Sequence, residues 1–99
     1  MKTAWQIQMD FKKAMDAANR LRSIASRMDS NANNLGSTIG AIDRSWDGEN
    51  SEAYQAKGRK VQDNITTTAS GIRRVAEAIE EIATRTRDAE MEAIRIAEE

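Results

Sequence analysis

The chain has 99 residues, nearly balanced charge (15 basic against 16 acidic side chains) and no histidine, cysteine or proline. That length allows one domain at most, and the charge balance argues against nucleic acid as the main partner. Without histidine or cysteine there is no disulfide framework, no thiolate or imidazole metal site and no imidazole general base.

The first residues, Met1 to Lys13, contain neither an apolar run of signal-peptide length nor a small-residue cleavage site. No stretch is apolar enough to span a bilayer. Export, if it occurs, is therefore expected to proceed without a cleaved signal peptide. From Ile7 an apolar stripe runs through Phe11, Ala14, Ala18, Leu21, Ala25, Met28, Ala32, Leu35, Ile39 and Ile42 to Trp46. Its alternating steps of four and three predict an amphipathic helix over about residues 5–45. Ala17 and Ile24 widen the apolar face, while Trp5 precedes the stripe and is expected to be partly exposed. Asp29 to Gly40 is rich in Asn, Ser and Gly, which oppose helix. Because Ala32, Leu35 and Ile39 stay in phase through it, this stretch is read as continuous, locally weak helix.

Trp46-Asp47-Gly48 is the one strong break. Gly48 can adopt a left-handed backbone at no steric cost. Asp47 or Asn50 can cap the next helix, and Glu49 and Glu52 suit its positive end. A second stripe then runs Tyr54, Gly58, Val61, Ile65, Thr68, Ile72, Val75, Ile79, Ile82, Thr86, Ala89, Ala93 and Ile96, predicting a helix over about 50–96. Beside it lie Ala69, Ala76 and Ala83, seven apart.

The fold class is thus all-α: an antiparallel two-helix hairpin turning at 46–48, with arms roughly 60–70 Å long. A lone hairpin is thinly stabilised. Each buried Ile or Leu contributes about 1.5–3 kcal/mol against about 1–2 kcal/mol of backbone entropy per ordered residue. Ala17/Ile24 and the Ala69/Ala76/Ala83 row would stay wet in a monomer. Two hairpins packed into a four-helix bundle would close the core. The residues expected to build the hairpin and dimer core are Phe11, Leu21, Ile24, Met28, Leu35, Ile39, Ile42, Tyr54, Val61, Ile65, Ile72, Val75, Ile79 and Ile82.

Two heptad-patterned helices about a central W-x-G turn, in a chain of this length, resemble the WXG-motif (ESAT-six-like) family of small type VII secretion substrates. Trp46 and Gly48 match the defining pair, with Asp47 in the variable position. The resemblance implies a homodimer or heterodimer of hairpins, exported by a membrane-embedded secretion ATPase, with Trp46 and Gly48 serving recognition. It also implies a cooperating Y-x-x-x-D/E motif after the second helix. This chain departs there: its one tyrosine is Tyr54, followed four residues on by Gly58. Three alternatives stay open. A partner supplies the tail signal, the acidic-apolar segment Met91 to Glu99 substitutes for it, or the chain is a targeting partner of a larger effector toxin.

Other readings are weaker. Glu77, Glu80, Glu81, Glu90 and Glu92 read as a solvated helix face rather than metal ligands or paired catalytic carboxylates. Ser and Thr have no base to activate them. Gly36 and Gly40 lack the Lys and the strand of a phosphate loop. No enzyme activity and no cofactor are expected. A different class, an intracellular coiled-coil scaffold of chemoreceptor type, is suggested by the run Glu77 to Glu90 but extends no further.

Overall fold

A computed structural model describes residues 1–45 and 48–99. Trp46 and Asp47 lie outside the described residues, and so do the expectations attached to them: display of Trp46 at the turn and capping by Asp47. The protein is all-α, with α1 over Ala4–Ser45 and α2 over Glu49–Glu98. Among the described residues there is no strand, and no helix is long and apolar enough to cross a membrane.

α1 opens on a capping box. The Gln6 amide donates to Thr3 Oγ1 (3.1 Å), and the Thr3 amide donates to Gln6 Oε1 (2.9 Å). The Ile7 amide closes the first turn on the Thr3 carbonyl at 3.1 Å. The helix then continues without interruption through Asp29–Gly40. Two glycines cost about 1 kcal/mol each relative to alanine, and the Asn, Ser and Thr residues up to about 0.7 kcal/mol each. Burial of Ala32 and Ile39 offsets this, and both are in the core. Composition loses to phase because tertiary packing outweighs intrinsic propensity.

Contacts divide the chain into two units: residues 1–22 with 73–99, and residues 23–72. In the first, Lys2 meets Glu90, Phe11 meets Arg87 and Arg22 meets Glu80. Partners fall along α2 as they rise along α1, so the two segments run antiparallel. Ile7, Ala18 and Ala76 are fully buried between them. In the second unit, Ala32 meets Gln62, Ile39 meets Gly58 and Asp43 meets Gln55, again antiparallel. Among its described residues, Ala25, Ala32, Ile39, Ser51 and Ala69 are buried.

Within each unit the seam is therefore built largely of alanine, Ala18 and Ala76 in the first and Ala25, Ala32 and Ala69 in the second. Ala18, Ala25 and Ala32 on α1 and Ala69 and Ala76 on α2 recur at intervals of seven. Small side chains at a helix contact permit approach near the short end of the usual range of about 8–10 Å. This corrects the expectation that Ala69 and Ala76 would stay wet in a single chain: both are 0% exposed. The larger residues expected in the core beside them lie further out. Tyr54, Val61, Val75 and Ile82 are 50–62% exposed. Phe11, Leu21, Met28, Leu35, Ile42, Ile65, Ile72 and Ile79 are half-buried, Ile24 is exposed, and Ile39 alone of the expected core set is buried. The physical reason is distance: helices that close on alanine leave no room for a second large side chain at the same layer.

Candidate recognition turn and pairing face

Gly48 has φ 86°, the left-handed region, and its carbonyl accepts the Glu52 amide at 3.3 Å. It thus stands immediately before α2 at the N-cap, a position glycine fills acceptably. Asn50 is already inside α2 and does not cap it. Glu49 and Glu52 occupy the first turn of α2, and Arg44 the last turn of α1, each favourable to the helix dipole. A polar bridge supports this end of the unit. Gln55 Nε2 donates to Asp43 Oδ1 (2.5 Å) and to Ser51 Oγ (3.1 Å), joining the end of α1 to the start of α2. Ser51 is buried, and the bridge satisfies it.

A Cβ added at Gly48 would meet nothing within 4 Å, so any penalty there comes from the backbone alone. Gly48→Ala is expected to lower unfolding stability by about 1–2 kcal/mol, the usual cost of a left-handed L-residue. Chemical denaturation of the two proteins checks this; an unchanged midpoint would show that the turn rearranges freely.

The second feature is an apolar face on each unit. In the first, Ile7, Phe11 and Ala14 of α1 and Ile79, Ile82 and Ala83 of α2 line an open cavity of about 260 Å³. Ile79 and Ala83 are half-buried, while Ile82 is 62% exposed. Charges frame this face. Lys2 Nζ bridges Asp10 (2.9 Å) and Glu90 (3.3 Å), and the Arg87 guanidinium lies 4.2 Å from the centre of the Phe11 ring. Arg22 pairs with Glu80, and this hydrogen bond holds the Glu80 carboxyl below the usual carboxylate range. The pair therefore supports the fold at neutral pH and stops doing so as pH falls through the depressed value. In the second unit Ile24, Tyr54 and Val61 are exposed and Leu35, Ile42, Ile65 and Ile72 half-buried.

Along α2 the exposed residues Tyr54, Val61, Val75, Ile82 and Ile96 fall in one register of seven. The seven-residue spacing was readable in the sequence; which of two adjacent registers turned inward was not. Cross-helix polar contacts such as Gln62 with Ala32, thirty residues apart, gave no local signal. The T-x-x-Q box at Thr3–Gln6 did, and marks the start of α1. Trp5 is 71% exposed. No group of three or more acidic side chains among the described residues is placed to hold a metal ion.

No curated protein and no solved structure matches the chain at a significant level. Residues 6–91 match the WXG100 family, described as proteins of 100 residues with WXG. The match covers most of the chain, and Trp46 and Gly48 supply the motif within it. The chain belongs to the WXG100 family, small helical proteins associated with type VII secretion.

Proposed function

We propose that this protein is a dimeric type VII secretion substrate, or the co-secreted targeting partner of a larger effector. It is made in the cytoplasm and exported without a cleaved signal peptide. Its partner is an identical or related helical hairpin, and Trp46 with Gly48 is the element the secretion ATPase recognises.

The observation that carries the pairing half of this reading is the apolar face on the first unit. Ile82 and the adjoining cavity place apolar surface in water, and such surface on a small protein marks an interaction site. A second hairpin supplies the missing layer in the geometry of a four-helix bundle. The recognition half rests on the motif and on the turn around it. Gly48 has a left-handed backbone at the start of α2, and the Asp43–Gln55–Ser51 bridge ties the end of α1 to the start of α2. Nothing in this role calls for catalysis: the face is apolar and its charged rim is internally paired.

Deleting the secretion ATPase is expected to trap the protein inside cells, and continued appearance in the medium would refute the assignment. In the same assay Trp46→Ala should reduce export at least tenfold while the circular dichroism melt stays within a few degrees. Equal loss of export and folding would reduce Trp46 to a packing residue.

A further inference from the structure

The second unit contains a helix that its own sequence does not support. Between Asp29 and Gly40, α1 carries three asparagines, two serines, a threonine and two glycines. Its hydroxyls turn back on the helix: Ser37 Oγ donates to the Asn33 carbonyl (3.3 Å) and Thr38 Oγ1 to the Asn34 carbonyl (3.1 Å). Ser45 Oγ does the same to the Ala41 carbonyl at 2.9 Å. Such back-bonding competes with the helix ladder and loosens it.

What holds this segment comes from α2. Gln62 Nε2 donates to the Ala32 carbonyl at 3.0 Å, reaching across where Gly36 has no side chain. A Cβ on Gly36 would stand 2.8 Å from that nitrogen. One turn further, Ile39 seats against Gly58, where a Cβ would come within 2.6 Å of its Cδ1. Both contacts are specific to one register and both join α1 to α2. In the first unit, by contrast, α1 has the Thr3–Gln6 capping box, good helix formers and the Lys2, Arg22 and Arg87 cross-links.

We propose that residues 29–45 form a conditional helix, folded only while Gln55, Gly58 and Gln62 of α2 hold it. It opens as a local unit while residues 4–22 and 73–98 remain paired. The device is a built-in point of release: opening bares Gly58 and Gln62 of α2 without unfolding the other unit. Local openings of this kind follow contact density and helix propensity, and amide exchange reports them directly.

Hydrogen exchange of the full chain, followed by mass spectrometry, tests it. Protection factors over 29–45 are expected to be at least tenfold below those over 7–22. Gln62→Met keeps the bulk and removes the donor, and should speed exchange over 29–45 by about three- to tenfold, leaving 7–22 unchanged. Gly40→Ala, whose added Cβ would have only the Arg44 guanidinium nearby at 3.7 Å, should slow exchange over 29–45 by about fivefold. Uniform protection along α1 would overturn the proposal. So would variants that alter 7–22 and 29–45 equally, since opening would then be global.

Discussion

Exchanging Ala76 for leucine is expected to destabilise the protein by about 1–3 kcal/mol, or about 4–8 °C in melting temperature for each kcal/mol. Ala76 is 0% exposed in a seam whose other buried contributors are mainly alanine. A leucine there adds volume where the helices already touch. The alternatives are separation of α1 from α2, which loosens Ala18 and Ile7, or an eclipsed side chain. Ala78, two residues on, is exposed. Ala78→Leu makes the same chemical change outside the seam and should stay within about 0.5 kcal/mol of the parent. Thermal melts at one fixed concentration compare the two. Equal effects would mean that the helices do not close on alanine, and the seam would have to be sought among the larger aliphatic residues.

The second large effect concerns association. Val75 and Ile82 are 53% and 62% exposed, so glutamate at either position leaves the alanine seam intact. In a dimer that covers this face, each fully buried Val or Ile is worth about 1.5–3 kcal/mol. The paired variant Val75→Glu with Ile82→Glu removes four such side chains from a symmetric interface and introduces four charges. Weakening of the dimer by more than about a thousandfold in Kd is the expected result, since about 1.4 kcal/mol is tenfold. Sedimentation at micromolar concentration should show the parent as a dimer and the variant as a monomer. Ellipticity should fall with it if pairing supports folding. A variant that remains dimeric, or a parent that stays monomeric both alone and with a related hairpin, would refute the pairing face.

How far these features could be read from the sequence differs from residue to residue. Ala32, Leu35 and Ile39 carried the phase of α1 through a segment of loop-like composition, and α1 is continuous there. Gly48 was legible because few other residues tolerate its backbone, and its φ is positive. Less legible was the inward face of α2. Hydrophobicity ranks Val75 and Ile82 above Ala69 and Ala76, whereas close helix approach selects the smaller pair, and the structure buries the alanines. Pattern gives the period of a buried row but not which of two neighbouring rows sits at the closest approach. The pairings of Gln62 with Ala32 and of Arg87 with Phe11 depend on register between distant segments, which no local rule supplies. Trp46 stands on its motif alone.

The alanine seam has a consequence for how such a chain can change. Holding the two helices together relies mainly on the smallest chiral side chain, and Val61, Val75, Ile82 and Ile96 of α2 are left to the outer row. The two tasks, keeping a shape and choosing a companion, are therefore written in separate letters of the same heptad. Substitutions in the outer row can retune association while the inner row keeps the hairpin. A lineage built on this plan can acquire new companions in small steps, by changes confined to the outer row.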